Sequence, residues 1–298
     1  MSTPPSSAAL PHADVVLLAD VGNTRIKLAA IAGGLAADAG GLAADAAGGQ
    51  EGGEIIVAGR LPVLVRRQDL DSRSFRAANL DRWLGQAAPG AAIVLVASVH
   101  DAAAARLEAA IAEVSATRHR PLRQRRIMHT DLPLVVAIDE PQRVGIDRLA
   151  GAAAAGAIKR AGRPAIVVDC GTAATVNVVS AAGEFLGGAI LPGPALMARA
   201  LAEGTSRLPE VAALDHAPPP PMPGRSTQDA IAAGIGWGIR GAIARVVAEA
   251  RAAVGGDADV ILTGGWRAAV RDALPGAVEV PELVLAGIAL AAERAIAR

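Results

Sequence analysis

The chain has 298 residues, 52% hydrophobic and 19% charged, enough for a substantial core in one large domain or two ordinary ones. Lys plus Arg equals Asp plus Glu at 29 each, and this net charge of zero argues against nucleic acid as the main partner, because phosphate binding shows as a basic excess. The single cysteine, Cys170, excludes an internal disulfide and a cysteine-rich zinc site, and suits a reducing compartment.

The opening residues, MSTPPSSAALPHADVV, lack a basic start followed by a long apolar run, so they do not read as a signal peptide. No stretch reaches the roughly 20 uninterrupted apolar residues of a membrane span. The expectation is a soluble, cytoplasmic protein with no membrane partner. After a loose leader over 1–13, DVVLLADVG reads as a strand ending in a turn, and RIKLAAIAGG as a second strand antiparallel to it. Residues 33–53 hold the near-repeat GLAADAG and GLAADAAGG, read as a hairpin or surface loop, and EIIVAGRL resumes the apolar pattern. AANLDRWLGQA predicts a helix with Leu80, Trp83 and Leu84 on one side. AAIVLVASV predicts a buried strand, and DAAAARLEAAIAEV a helix with Asp101 at its N-cap or first turn. RHRPLRQRRI is a basic run, read as a solvated linker.

PQRVGIDRLAGAAAAGAIKRAG opens a second half, its glycines and alanines predicting a helix packed closely on another element. PAIVVDCGTAATVNVVSAAGEFLGGAILPG then reads as strand, acidic turn, strand, glycine-containing hairpin, strand. A helix after Pro194, a stiff proline-rich loop and a long helix from Thr227 follow. Glycine costs about 1 kcal/mol in a helix interior, so its recurrence in that helix predicts close approach of another helix or subunit. ADVILTGGWRAAV predicts strand, Gly-Gly turn and helix, and VPELVLAGIALAAERAIA a terminal apolar helix.

LLADVGNTRIKLAAIAGG and IVVDCGTAATVNVVSAAG share one form: apolar run, Asp, any residue, Gly, polar residue, second apolar run. This is an internal repeat at domain scale, predicting two similar lobes of mixed sheet that each present an acidic hairpin. Small residues let backbone N–H groups approach phosphate oxygens, and the hydroxyls of Thr24, Thr172 and Thr175 can add hydrogen bonds. Asp20 and Asp169 suit such a place if they hold Mg²⁺, usually through water, while the metal bridges phosphates. The GxxxxGK[ST] and GxGxxG patterns are absent, so an ATP site here is of another kind. Each turn taken singly reads as an ordinary hairpin; the pair, with Thr-Gly-Gly after a late strand, reads as a nucleotide site. GIDR, Gly145 to Arg148, reads either as a helix start with a surface ion pair or as a general base, Asp147, beside an anion-binding Arg148.

Taken in order, DVGNTRIK, GIDR, DCGTAATVN, GGAILPG, LAEGTSRLP, GRSTQDAIAAG and TGG resemble the type III pantothenate kinases over about residues 15–293. The resemblance implies an α/β fold of two ribonuclease-H-like, actin-like ATPase lobes, each a mixed sheet flanked by helices, over 14–137 and 138–298. It implies transfer of the ATP γ-phosphate to pantothenate, the first step of coenzyme A synthesis, by a homodimer needing Mg²⁺ and a monovalent cation, K⁺ or NH₄⁺. It places Asp20, Gly22, Asn23, Thr24 and Lys27 at the phosphates, with Asp20 on Mg²⁺ through water, and Gly171 and Thr172 likewise at the phosphates. Asp169 is implied near the monovalent cation, and Gly264 and Gly265 near the nucleotide. Asp147 is implied as general base, with Gly145, Ile146, Arg148 and Thr227 at pantothenate; Thr205 matches a further family threonine. Asn177 stands where the family pattern often has Asp, a family tyrosine has no counterpart, and the 33–53 insertion lengthens the first hairpin region. The rival reading is a catalytically weak or inactive relative with a regulatory role, and Asn177 is the feature that leans that way.

Overall fold

A computed structural model describes residues 15–31, 61–212 and 220–297. The leader, the 33–53 near-repeat, the apolar segment from Glu54 and the start of the proline-rich loop lie outside the described residues. The first sheet contains β1 (Val15–Val21), β2 (Arg25–Ile31), β3 (Leu64–Asp71), β4 (Ala92–Ser98) and β5 (Leu122–Arg126), in the order β3-β2-β1-β4-β5. β1, β2 and β3 run antiparallel in succession, while β4 and β5 run parallel to β1. The second contains β6 (Val135–Val136), β7 (Ala165–Cys170), β8 (Ala173–Val179), β9 (Glu184–Pro192), β10 (Asp259–Gly264) and β11 (Val278–Glu279). Its order is β11-β10-β7-β8-β9-β6. Without the edge strand β6, order and strand senses repeat those of the first sheet. The repeat read from two aspartate turns is therefore a repeat of whole mixed sheets.

Helices fill three layers. α1 (Ala77–Ala87) and α2 (Asp101–Thr117) cover the outer face of the first sheet, burying Leu80, Trp83 and Leu84 and, from α2, Leu107, Ile111 and Val114. That i, i+4, i+7 spacing is what a helix on a sheet requires. α2 starts where the His100 ring accepts the Ala103 N–H at 3.1 Å, with Asp101 in the first turn. α3 (Ile146–Ile158) and α6 (Leu283–Leu290) lie between the two sheets. α4 (Pro194–Gly204) packs on α5 (Thr227–Ala253), which covers the outer face of the second sheet; α7 (Ala292–Ala297) closes the described chain. α6 is almost wholly buried, and Leu283, Leu285 and Ile288 contribute about 2 kcal/mol each through burial. The predicted tight partner of the Ala-rich helix is α6: a Cβ on Gly287 would run into the Ala150 backbone, so the two helices meet as closely as backbones allow.

α5 alone among the described residues is long and apolar enough to cross a membrane. Its Ile239, Ile243 and Val247 instead pack on Ile166, Val168 and Val176 of the second sheet. A Cβ on Gly234, Gly238 or Gly241 of α5 would meet nothing within 4 Å, so among the described residues the expected close approach is not made at these three, while Gly236 is buried.

The sequence reading fails in three places. The basic run is the edge strand β5 rather than a linker. Two of its three arginines are paired with acids, Arg126 with Glu108 (2.6 Å) and Asp101 (3.2 Å), and Arg125 with Asp131 (3.1 Å). β3 carries no apolar alternation because most of LVRRQDLD is exposed. The segment after the Gly-Gly turn forms two 3₁₀ turns, 267–269 and 271–273, instead of an α-helix. Arg267 holds it short, bonding Gly264 O and Glu279, each at 3.0 Å.

Candidate active site

The period of a strand brings the site together. On β1, Val16 and Leu18 face the layer of α3 and α6, so Asp20, two residues on, shares their face. On β7, Ala165 and Val167 face the same layer from the other sheet, and Asp169 follows them. Asp147 stands in the first turn of α3, inside that layer. Two equivalent strand ends and one helix start thus direct three carboxylates at one cleft. The two acidic turns also touch: Thr24 Oγ1 and Thr172 Oγ1 are 2.9 Å apart across the lobes. In the first turn Gly22 N–H donates to Arg25 O (3.0 Å), and in the second Gly171 N–H donates to Ala173 O (3.2 Å). Asn23 is exposed in the first turn.

Crowding by protein atoms dominates the electrostatics. Burial pushes the Asp20 carboxyl up to about 7, Lys27 opposes this, and the charges of Asp147, Asp169 and Glu282 reinforce it. Burial raises Asp169 to about 6, again with Lys27 opposing and Asp147 reinforcing. Lys27 lies opposite Asp20 in the β1–β2 register and is, among the described residues, the cation acting on both. Burial also raises Asp147, opposed by the Arg148 N–H that its Oδ1 accepts at 2.8 Å and by the Arg148 charge. Gly145 makes that fold-back possible: a Cβ there would sit 2.5 Å from Asp147 Oδ1 and 3.3 Å from Val99. Ile146 begins α3 and packs into the inter-lobe core, which anchors the turn. The start of a helix favours an anion, which works against the burial without overcoming it.

Arg148 leaves the same turn toward the second sheet. Its Nε donates to Asn177 Oδ1 at 2.7 Å, and its guanidinium lies 5.6 Å from the centre of the Phe185 ring. Asn177 is 1% exposed, and its Nδ2 donates to Thr175 Oγ1 at 3.0 Å. The oxygen at this departure from the family pattern therefore faces Arg148.

Gly264 ends β10 at φ +92°, and a Cβ there would strike the Cys170 backbone; only glycine fits both demands. Gly265 approaches the first lobe, its Cβ position lying 3.9 Å from Arg25 Nη1. Trp266 closes this turn on the second hairpin, its indole N–H donating to Gly171 O at 2.6 Å. Trp266, Phe185 and Glu282 were missed in the sequence; only Trp266, next to the Gly-Gly pair, carried a positional signal. Thr227 opens α5, exposed, beside the capping Ser226, and Thr205 ends α4 with its hydroxyl donating to Leu201 O at 2.8 Å. No hydrogen bond or ion pair among the described residues ties either threonine to the aspartates. Cys170 is buried, and burial raises its thiol, so it offers no thiolate.

Among the described residues no group of three or more His, Cys, Asp or Glu is placed to hold a metal ion. The oxygen donors of Asp20 and Asp169 nevertheless suit hard cations, and two crowded carboxylates share one Lys27. The donor set fits a cation whose remaining ligands are water and phosphate oxygens.

The family model described as type III pantothenate kinase matches residues 16–249. The type III pantothenate kinase of Rhodopirellula baltica is 43% identical over 168 residues, covering 55% of this chain and 59% of the relative. That of Ectopseudomonas mendocina is 43% identical over 155 residues, covering 50% of this chain and 60% of the relative. The matched region thus spans about three fifths of these relatives' lengths. A solved structure from Campylobacter jejuni, described as a Baf family transcriptional activator, has a TM-score of 0.51 at 19% identity, covering 93% of this chain and 98% of its own; the likeness is one of fold.

Proposed function

The chain belongs to the type III pantothenate kinase family, and on that premise we propose that it transfers the γ-phosphate of ATP to the terminal hydroxyl of pantothenate. This would be the first step of coenzyme A biosynthesis. The observation that carries the reading is the contact of the two acidic turns, Thr24 to Thr172 at 2.9 Å, with Asp147 electrostatically coupled to the aspartates of both. In this reading Asn23, Thr24 and Thr172 present N–H and hydroxyl donors to the phosphates, Gly22 and Gly171 shape the two turns at the phosphates with their own N–H groups bonded inside them, Lys27 adds charge, and Gly264 and Gly265 border the nucleotide. The pantothenate hydroxyl lies between Asp147 and the γ-phosphate. A new O–P bond forms as the bond to the β-phosphate oxygen breaks, Asp147 takes the hydroxyl proton, and ADP leaves. Arg148 holds the pantothenate carboxylate, with Gly145, Ile146 and Thr227 toward the same substrate.

Asp20 would hold Mg²⁺ through water and Asp169 a monovalent cation, K⁺ or NH₄⁺, and these cations would neutralise phosphate charge. The lobes are assigned to 14–137 and 138–298, and the protein to the cytoplasm as a homodimer. The open glycine face of α5, at Gly234, Gly238 and Gly241, supports a second subunit there.

The test is pantothenate phosphorylation by purified protein with ATP, Mg²⁺ and either K⁺, NH₄⁺ or Na⁺, beside Asp147→Asn. The expected result is turnover with K⁺ or NH₄⁺ that falls about 10²- to 10⁴-fold in the variant, the range for loss of a general base. No phosphorylated pantothenate under any cation overturns the reading.

A further inference from the structure

We propose that the cleft between the C-terminal ends of α1 and α2 is a binding site for a small phosphate-bearing anion, a phosphate monoester or a free diphosphate. The cleft has a volume of about 530 Å³ and is lined by Asp81, Arg82, Arg118, His119 and Arg120, together with the turn that leads from α1 into β4. It lies at the far end of the first sheet from the three aspartates. Asp20 pairs with Ala97 of β4, whereas the cleft borders the start of that strand, and the run from Ala92 to Ala97 spans about 17 Å. The basic run Arg118–Arg126 divides at this point. Arg125 and Arg126, inside β5, are paired with acids, while Arg118, His119 and Arg120, before the strand, line the cleft.

Arg120 is the buried member of the set, 9% exposed. Its Nη1 donates to Leu84 O at 3.1 Å and to Ala88 O at 2.6 Å, the ordinary task of an arginine at the end of a helix. That task uses one nitrogen. Nε and Nη2 are shut away from solvent and have no partner. Stripped of water, the guanidinium charge is screened less than it would be on the surface, and its field reaches into the cleft. The acids here fall short of the cations. Asp81 accepts from Arg118 Nε at 3.3 Å and Nη2 at 2.6 Å, and it feels the Arg120 charge as well. Arg82 is exposed and forms no ion pair or side-chain hydrogen bond among the described residues. One carboxylate therefore serves three guanidiniums, and the excess of two positive charges matches a phosphate dianion. Guanidinium forks bind phosphate oxygens in parallel pairs. The volume, many times the roughly 30 Å³ of a water, leaves room beyond one phosphoryl group for a second or for an organic remainder. No Trp, Tyr or Phe lines the cleft, so it lacks the stacking platform of a single-stranded nucleic-acid site.

The test follows the His119 ring by NMR, its signals assigned by their loss in His119→Gln, without Mg²⁺. His119 lines the cleft, so its shift reports this site and not the inter-lobe one. Pyrophosphate and glycerol 3-phosphate are titrated separately, with sodium chloride at matched ionic strength and a short single-stranded oligonucleotide as the other arms. A saturable shift with a Kd of about 1 mM or tighter is expected from at least one of the two phosphates. Saturation by pyrophosphate alone identifies a diphosphate, and saturation by glycerol 3-phosphate identifies a monoester site. Arg82→Gln is expected to weaken this binding about fivefold or more and Arg120→Met about tenfold or more, the scale of bonds to charged groups. Arg120→Met also uncaps α1, whereas the exposed Arg82 supports nothing else in the fold, so Arg82→Gln decides the matter alone. No saturable shift from either phosphate, an equal shift from sodium chloride, a response to the oligonucleotide alone, or binding unchanged in Arg82→Gln overturns the proposal. Each of these results stands whether or not the protein phosphorylates pantothenate.

Discussion

Replacing Asp20 by Asn is expected to stabilise the unliganded protein while removing its activity. The carboxyl moves from 3.8 to about 7 on folding. At 1.36 kcal/mol per unit this is about 4 kcal/mol of preference for the neutral form. Asp20 is only partly buried from solvent, which reduces the recoverable gain to about 2 kcal/mol, or about 3 °C in Tm for a chain of this size. The sign follows from proton binding. Between pH 3.8 and 7 the folded state holds a proton at Asp20 that the unfolded state has released, so stability falls as pH rises through that window. The isosteric amide lacks this penalty. Its advantage is therefore absent near pH 4, grows with pH and is complete above pH 7. Thermal melts of wild type and Asp20→Asn at pH 5 and pH 8, without nucleotide, measure it. Phosphate transfer by the variant is expected to fall about 10²-fold or more, the scale for losing one preorganised electrostatic group. A variant less stable than wild type at pH 8, or a gain equal at both pH values, refutes the reasoning.

Gly287→Ala forces a methyl into the Ala150 backbone and is expected to cost about 3 kcal/mol or more in denaturant melts, whereas Gly151→Ala, whose Cβ meets Val284 Cγ2 at 3.9 Å, is expected to stay within about 1 kcal/mol of wild type. Trp266→Phe removes the indole bond to Gly171 O and is expected to cost about 1–2 kcal/mol of stability and to raise KM for ATP several-fold in steady-state kinetics, with KM for pantothenate unchanged.

The sheets were legible because their buried strands announce themselves. VVLLADV and AIVVDC are continuous apolar runs, and each ends in Asp-x-Gly, so both the repeat and the acids could be read. α1 was legible to the residue because Leu80, Trp83 and Leu84 have helical spacing. β3 and β5 were not, because their side chains are mostly polar or charged and at least partly exposed in succession, which leaves no apolar alternation to display. The charge of RHRPLRQRRI suggested solvent, while the structure gives Arg126 and Arg125 acids from α2 and the following turn. At the site, Asp20, Asp147 and Asp169 were each visible as motif residues. That Arg148 meets Asn177 and Phe185 depends on where the first turn of α3 lands on β8 and β9, and no local pattern encodes that landing. Thr227, placed at the substrate by resemblance, has no recorded tie to the aspartates.

The placement of Asp147 is a packing outcome. Asp20 and Asp169 are fixed by their strands, which pair with neighbours on both sides and cannot slip without turning every second side chain from core to solvent. Asp147 has no such ladder. It rides on α3, whose depth between the sheets is set at Ala150, three residues or about 4.5 Å along the axis, by contact with Gly287 of α6. α6 in turn sits on β1 and β2, the strands that carry Asp20 and Lys27. One chain of contacts therefore runs from the first acidic turn through α6 and α3 to the proposed base, and the same helix start delivers Arg148 to Asn177 on the second sheet. The inter-lobe core that supplies much of the apolar burial is also what sets the third carboxylate against the other two. Carboxylates that destabilise the empty protein are held together by the layer best able to offset them.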